Sequence, residues 1–316
     1  MEEERMMRNT GLTLAEEGEG CRVYRMENES GTGEMKIFDL FPGVLLAYND
    51  YHMRVCDSAF ESHADLFCID HCREGRLEYP AGEGTCSYVA AGDLKLDRRI
   101  AHTGHFSFPL RHYHGITISL ELPQAAHALP AVFRDFPVDV YCLQQKFCAD
   151  KRPYVLRGAP AIDHIIAELY AVPAQIRLPY FRLKVLELLL YLDALELPKT
   201  PLGRPYFYRG QVEKVKAAEA LLTAEVQRHF TLEELSVRFE IPLTALKSCF
   251  RSVYGSPIGT YMRAYRMNLA AGLLRRETTR SVADIAGVVG YDSPSKFAAA
   301  FKDVLGVTPL VYRNRK

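Results

Sequence analysis

The residues best suited to metal or acid–base chemistry are histidines that crowd one short segment. Residues 102–115 (HTGHFSFPLRHYHG) hold four of the ten histidines in the chain. His112 and His114 are separated by one residue, so on a β-strand their side chains lie on the same face. Two imidazoles on one face are typical metal ligands, and His63 or Glu61 would complete the set. The pattern therefore raises the hypothesis of a metal site.

A second group combines thiols with an imidazole. On a strand, Cys68 and Cys72 would lie on one face and His71 on the other, which favours core residues over a shared site. The chain has eight cysteines and no CxxC pair. This usage favours reduced, buried thiols over a disulfide framework.

Length and charge predict two domains with different partners. A chain of 316 residues is long enough for two hydrophobic cores. Residues 209–316 hold 17 Lys and Arg against 10 Asp and Glu, whereas residues 1–208 hold 22 against 29. A basic C-terminal third predicts a polyanionic partner for that third alone.

Neither a secretory signal nor a membrane span is expected. The first residues, MEEERMMRNT, are charged and lack an apolar core. No segment approaches the run of ~18 apolar residues that a membrane helix needs. We therefore predict a cytoplasmic protein with no membrane partner.

Two kinds of periodicity divide the N-terminal two thirds. Residues 36–122 contain short segments rich in β-branched and aromatic residues between Gly, Pro and Asp, which predicts a β-sandwich or barrel. Residues 123–197 instead favour helices. Residues 197–208 (LPKTPLGRPYFY) have the proline content of a semi-rigid linker. We therefore predict domains at 1–196 and 209–316, joined by that linker.

The predicted helix over residues 180–195 is apolar on nearly all sides. Such a helix needs two burial partners. One interpretation places Leu186 and Leu190 against a second copy of the chain, which predicts a homodimer. The alternative buries the helix wholly inside one domain.

The C-terminal third contains an internal repeat. Residues 231–263 align with residues 281–313 at an offset of 50 before a central turn and 51 after it. Each copy starts with a hydroxyl N-cap and ends a second helix at Gly255 or Gly306. Residues 257–277 have helical spacing and would connect the copies. We predict two helix-turn-helix motifs able to enter successive major grooves, ~34 Å apart.

These segments resemble a known family. GYDSPSKFAAAFKDVLGVTPLVYR at 290–313, RMNLAAGLLRR at 266–276 and LTALKSCFRSVYG at 243–255 make residues 211–316 similar to the DNA-binding domain of AraC/XylS-type transcription regulators. More loosely, CREGRLEY and YVAAGDLKL resemble that family's cupin-like effector and dimerisation domain. The resemblance implies a mainly β N-terminal domain with trailing helices and an all-α C-terminal domain. It also implies promoter DNA, RNA polymerase and a small-molecule effector as partners.

The same resemblance implies which side chains face DNA. Groove-facing residues are expected on the second helix of each motif, and phosphate contacts beside the second one. They are Thr244, Lys247, Ser248 and Arg251 in the first motif, Pro294, Ser295, Ala298 and Ala299 in the second, and Ser293, Lys296 and Lys302 near phosphates.

The chain departs from the family pattern in two ways. Pro242 replaces the usual hydroxyl at the start of the first recognition helix, where it would suit the first helical position. The second reading face has no long hydrogen-bonding side chain, and alanine methyls contact thymine methyls without a bidentate base contact. We therefore expect the first helix to read bases and the second to anchor phosphates.

Two functions for the whole chain follow. The first is a ligand-responsive transcription activator that is not an enzyme and uses no metal or other cofactor. Its effector would be held by a set of aromatic and basic residues: Tyr88, Arg111, His112, Tyr113 and His114. The second is a metal-dependent cupin-type enzyme fused to a DNA-targeting module. The HxH pair lacks the glutamate that follows it in metal-binding cupins, so we predict the regulator.

Overall fold

A computed structural model describes residues 11–314 except 19, 62–63, 83, 100, 133–135, 150–152, 198–206 and 278, and leaves aside the side chains of residues 59–61, 82 and 101–105. The chain divides into two compact units, Met1–Tyr206 and Phe207–Lys316. Most of the predicted linker lies outside the described residues. Each unit is described by itself below.

The N-terminal unit is built on antiparallel strands. They are β1 (Thr13–Gly18), β2 (Cys21–Asn28), β3 (Gly31–Phe41), β4 (Val44–His52), β5 (Val55–Glu61), β6 (Leu66–Gly82), β7 (Thr85–Ala90), β8 (Leu94–Arg98), β9 (Ala101–Ser107), β10 (Tyr113–Glu121) and β11 (Tyr154–Leu156). β1 to β4 pair in order, and β10 lies between β4 and β6. The 17-residue β6 pairs with β8 near its start and with β7 and β9 toward its end, which bends the sheet into a half-barrel.

Helices cover one face of this sheet. They are α1 (Leu122–Val132), α2 (Val140–Cys148), α3 (Pro160–Leu169) and α4 (Arg177–Ala194), with a single 3-10 turn at Ala174–Ile176. Ile116, Ile118 and Leu120 of β10 join apolar residues of all four helices in one core. Because side chains alternate along a strand, the residues between them face the other way.

The opposite face of the sheet buries charged side chains. Lys95 Nζ lies 3.0 Å from Asp70 Oδ2 and from Asp97 Oδ2. Arg99 contacts the same two carboxylates, and Thr117 of β10 donates to Asp70. We call Asp70, Lys95, Asp97 and Arg99 the buried charge network. Burial alone would raise the pKa of Asp70, but Arg99 and Lys95 hold it well below its ordinary value.

α4 is buried on one side and exposed on the other. Leu186 is only 9% exposed and packs in the core, whereas Leu183, Leu190 and Tyr191 are 65%, 40% and 48% exposed. The expectation that Leu186 lies on an exposed seam is therefore corrected. By the helical repeat Leu186 lies between the buried Leu189 and the exposed Leu190, and packing in the core covers it.

The C-terminal unit is helical after a short extended segment, β12 (Phe207–Tyr208). Its helices are α5 (Arg209–Ala224), α6 (Leu232–Arg238), α7 (Leu243–Tyr254), α8 (Ile258–Arg276), α9 (Val282–Val288), α10 (Pro294–Leu305) and α11 (Pro309–Asn314). α8 contacts α5 and α7 as well as α9, α10 and α11, so both motifs pack on it. The predicted fold class, a mainly β unit followed by a double helix-turn-helix, is confirmed.

Within the described ranges, no helix combines the length and apolar character that crossing a lipid bilayer requires.

Candidate nucleic-acid interface

The first helix-turn-helix motif consists of α6, a turn and α7. Thr231 caps α6: its Oγ1 accepts from the Glu234 backbone N–H at 3.1 Å, and Glu234 Oε2 accepts from the Thr231 backbone N–H at 2.7 Å. The turn contains Glu240 at φ 48°, and α7 ends at Gly255 with φ 81°. The reciprocal cap and the left-handed stop fix the ends of the motif.

The four predicted DNA-facing residues of this motif share one face of α7. Thr244, Lys247, Ser248 and Arg251 are exposed. Their i, i+3, i+4, i+7 spacing keeps them on one side of the helix. The other side is buried around Phe250. α7 therefore presents an exposed polar face.

The second motif repeats this construction with α9 and α10. Ser281 caps α9, and Ser293 Oγ accepts from the Lys296 backbone N–H at 3.4 Å. Gly290 in the turn has φ 80°, and Gly306 ends α10 with φ 76°. The two motifs therefore present their second helices through equivalent turns.

The predicted DNA-facing sides of α7 and α10 correspond residue by residue at an offset of 51. The pairs are Thr244 with Ser295, Lys247 with Ala298, Ser248 with Ala299, and Arg251 with Lys302. Ser295, Ala299 and Lys302 are exposed and Ala298 is half-buried. The carbonyls of Arg251 and Lys302 accept from the N–H of their respective C-terminal glycines, which supports the register.

Lys302 corrects the expected character of the second face. It follows Ser295 by seven residues, about two helical turns, so it lies on the same side of α10. The prediction that this face has no long hydrogen-bonding side chain is therefore wrong. Lys296 is exposed about 100° away from Ser295. Pro294 is exposed and Ser293 half-buried at the start of the helix.

The position of Pro242 is also corrected. It is the N-cap residue of α7, one position before the first helical residue, and it makes no side-chain cap bond. Ser293 supplies that bond in the second motif. The first turn of α7 therefore lacks the side-chain cap that the backbone N–H of Lys296 receives in the first turn of α10.

The connecting helix is long enough to carry both motifs. α8 has 19 residues, which span about 28 Å at 1.5 Å per residue. Arg263 Nη2 lies 2.8 Å from Asp303 Oδ2, which ties the start of α8 to the end of α10. The length of α8 is of the same order as the ~34 Å between successive major grooves on one side of B-DNA.

The long cations of both faces are available to a polyanion. Across the described part of the chain, no ion pair involves Lys247, Arg251, Lys296 or Lys302. An exposed cation without a carboxylate partner can bind phosphate oxygens at little cost in broken contacts.

The residues predicted to hold an effector are divided between two faces of the half-barrel. Tyr113 is buried and lies beside Phe108, with ring centroids 5.9 Å apart, on the face of the buried charge network. The next residue, His114, faces the helices and meets Tyr170 edge-on at 5.6 Å. Neighbouring residues of one strand face opposite ways, so these two do not line one pocket.

The other three candidates have local partners of their own. Tyr88 Oη donates to Glu78 Oε2 at 2.8 Å on a neighbouring strand. His112 precedes β10, and its Nδ1 lies 3.0 Å from the Leu110 carbonyl. Arg111 is exposed at φ 61°. A shared role of Tyr88, Arg111 and His112 in holding an effector stays a prediction.

The described residues do not supply a set of ligands for the hypothesised metal site. No group of three or more His, Cys, Asp or Glu side chains there is arranged to hold an ion. His63 and the side chain of Glu61 lie outside the described part of the chain. Cys68 and His71 lie on opposite faces of β6, as predicted.

The sequence reasoning missed the buried charge network. Lys95, Asp97 and Arg99 alternate in LKLDRR, which places three charges on one face of a strand. The alternating charges could have predicted this network, because charged side chains on a buried strand face need oppositely charged partners.

Comparisons with known proteins agree with the geometry of the C-terminal unit. A family model described as a helix-turn-helix domain matches residues 235–315. The F1 operon positive regulatory protein of Yersinia pestis is 41% identical over 68 residues, which cover 22% of this chain and 22% of that protein. A putative AraC-like transcription regulator of Streptomyces lividans is 32% identical over 127 residues, which cover 40% of this chain and 41% of that protein.

The chain therefore spans less than half the length of either curated relative. Among solved structures, the C-terminal domain of AraT, a response regulator from Geobacillus stearothermophilus, is 28% identical. The match covers 33% of this chain and 85% of that one, with a TM-score of 0.31. The C-terminal unit is therefore a helix-turn-helix domain with duplicated motifs, and it is similar to the matched part of an AraC-like transcription regulator.

Proposed function

We propose that this protein is a sequence-specific, DNA-binding transcription regulator that acts as a homodimer and responds to a small-molecule effector. The observation that carries the proposal is the exposed polar face repeated at matching positions of α7 and α10. Two such faces on one connecting helix are suited to two major-groove segments of one duplex.

The two faces would divide the work. Lys247 and Arg251 reach far enough to hydrogen-bond base edges or phosphates from α7. In α10, the equivalent of Lys247 is Ala298, so Lys302 is the single long side chain on that face. We propose that α7 provides most base readout and that α10 provides phosphate contacts and shape recognition.

We place the effector on the face of the half-barrel opposite the helices. Tyr51, Phe108 and Tyr113 stack there with centroids 5.4 and 5.9 Å apart. Arg99 Nε is buried without a hydrogen-bond partner among the described atoms. Aromatic rings beside a few buried polar groups are typical of small-molecule sites. Of the five residues that the sequence analysis proposed for effector binding, Tyr113 lies at this proposed site.

The homodimer would use the exposed apolar stripe of α4, formed by Leu183, Leu190 and Tyr191. Glutamate at both Leu183 and Leu190 is expected to give folded monomers in sedimentation velocity. Leu186→Glu is the matched control, because it places a charge in the core and is expected to unfold the unit. If the double variant and the wild type have the same sedimentation coefficient, whether both are dimers or both are monomers, α4 is not the dimer interface.

Activation is proposed from the names of relatives, and RNA polymerase as a partner from the resemblance to AraC/XylS-type regulators. One matched relative is named as a positive regulatory protein and another as an AraC-like transcription regulator. The alternative, a metal-dependent enzyme, has no group of three metal-ligating side chains behind it among the described residues, so the proposal here is the regulator.

The deciding experiment measures binding of the purified chain to DNA upstream of its own and neighbouring genes. Log K is expected to fall linearly with log salt, with a slope of about −0.9 per phosphate neutralised. Metabolites are then screened for a change in that affinity. Binding that ignores sequence at every salt concentration contradicts a specific regulator.

A further inference from the structure

The middle of the connecting helix carries a buried arginine with unusual partners. Arg266 is 7% exposed. Its Nε donates to the Val226 carbonyl at 2.9 Å and its Nη2 to the Arg228 carbonyl at 3.0 Å. Burial lowers the pKa of Arg266, and Tyr291 partly offsets this effect. The guanidinium thus directs its donors at residues 225–230, the segment between α5 and α6.

His229 extends this contact to the second motif. Arg266 Nη1 lies 3.3 Å from His229 Nδ1, and His229 Nε2 lies 2.8 Å from the Gly290 carbonyl. A guanidinium can only donate, so Nδ1 accepts and Nε2 carries the proton that it donates to Gly290. The segment before the first motif is therefore hydrogen-bonded to the turn of the second.

The turns of the two helix-turn-helix motifs differ at the residue with a left-handed backbone, which is Gly290 in the second motif and Glu240 in the first. A Cβ added to Gly290 would lie 2.8 Å from the Gln227 carbonyl oxygen, closer than real Cβ contacts. The equivalent residue of the first motif, Glu240, has the same left-handed backbone with a full side chain. The turn of the second motif is thus pressed against residues 225–230, whereas the first turn has room for a side chain.

We propose that Arg266 and His229 are positioning residues that hold the two helix-turn-helix motifs in one relative orientation for binding a two-part DNA site. This inference rests on the proposed function. α8 joins the motifs along the chain, and the Arg266–His229–Gly290 contact adds a hydrogen-bonded link from α8 through the segment before the first motif to the turn of the second. Fixing two linked binding modules in the right geometry raises the effective concentration of the second.

The first test measures the orientation directly, in the full chain and without DNA. Nitroxide labels are attached to a ketone-bearing unnatural residue at the exposed positions 248 and 299, which leaves the native cysteines unlabelled. His229→Asn removes the donor at the Nε2 position, whereas His229→Gln places an amide nitrogen there. The distance distribution is expected to broaden in His229→Asn and to stay narrow in His229→Gln. Equal widths in wild type and His229→Asn overturn the proposal.

The second test uses DNA that the wild-type chain enriches from a randomised duplex library. Each half of the enriched site is scrambled in turn to give one-element duplexes. His229→Asn and Arg266→Lys are expected to bind the intact site about tenfold more weakly, with unchanged affinity for the one-element duplexes. A loss of the same factor on all duplexes overturns a positioning role.

The two tests separate this inference from the proposed function. If the wild type enriches no sequence, the proposed function fails, and the label distances still decide whether the contact orients the motifs. Circular dichroism of each variant identifies misfolding, and His229→Asn is the mildest change because His229 is exposed. A folded His229→Asn that keeps both the narrow distance distribution and the wild-type affinity ratio refutes the proposal.

Discussion

The two units of this protein arrange their charges in opposite ways. In the N-terminal unit, Asp70, Lys95 and their partners turn inward and neutralise each other within the half-barrel. In the C-terminal unit, Lys247 and Arg251 point outward from a helix with no described carboxylate beside them.

This difference separates structural charge from charge kept for a partner. Buried ions stabilise a fold only when each has a counter-ion and hydrogen bonds, so removing one member leaves the others uncompensated. Exposed cations contribute little to stability and can exchange water for phosphate. The N-terminal charges should therefore control folding, and the C-terminal charges should control binding.

Removing one buried charge should have the largest effect. Asp70→Ala leaves Lys95 and Arg99 with a single shared carboxylate, Asp97, and is expected to reduce the free energy of unfolding by about 3–5 kcal/mol. Urea denaturation measures the loss. Lys247→Ala is the matched control and should change stability by less than about 0.5 kcal/mol. If both variants lose a similarly small free energy of unfolding, the N-terminal charges do not control folding more than the C-terminal ones.

Acidification should weaken the N-terminal unit through His71. Burial lowers the pKa of His71 to about 4 from 6.5, with Asp163 raising it and Arg73 lowering it further. Between these values the unfolded chain binds a proton that the folded chain does not, so stability falls as the pH falls. The expected loss from this group is about 2 kcal/mol between pH 7 and pH 5.

The check compares urea unfolding of wild type and His71→Leu at both pH values. The variant should lose less stability than the wild type on acidification, whatever its stability at pH 7. Equal losses would show that His71 does not remain neutral in the fold.

The two recognition helices should differ in what they recognise. Lys247→Ala is expected to lower affinity for the specific site by about 1–3 kcal/mol if Lys247 contacts a base, and to lower affinity for random DNA much less. Fluorescence anisotropy at two salt concentrations measures both affinities. Arg251→Ala and Lys302→Ala form a matched pair, because the two side chains occupy equivalent positions. A larger specificity loss in Lys302→Ala would assign base readout to the second helix.

The smallest effect is expected at Lys296. Because it lies to one side of the α10 reading face, Lys296→Ala should weaken specific and random DNA about equally and flatten the salt slope by about one unit. If Lys296→Ala loses specificity while the slope of log K against log salt is unchanged, Lys296 contacts a base in the groove instead of a phosphate.

Local sequence signals were sufficient for most of the C-terminal unit. Thr231 and Glu234 form the capping box that their spacing predicts, and Gly255 and Gly306 end their helices in the left-handed conformation. These features depend on residues a few positions apart, which is why spacing alone identifies them. The N-terminal strands were harder to delimit. β1 begins at Thr13 and β2 at Cys21, both well before residue 36, and charges at their exposed positions hide the strand pattern.

The sequence by itself determined the double helix-turn-helix and the shared face of Thr244, Lys247, Ser248 and Arg251 on α7, because helical periodicity fixes which side chains share a face. Only the tertiary structure decided what depends on contacts between distant segments. It turned Leu186 into the core, divided Tyr113 from His114, gathered Asp70 with Lys95 across two strands, and joined His229 to Gly290 across 61 positions of the chain. Long-range partners are chosen by how the elements pack, and no local spacing encodes that choice.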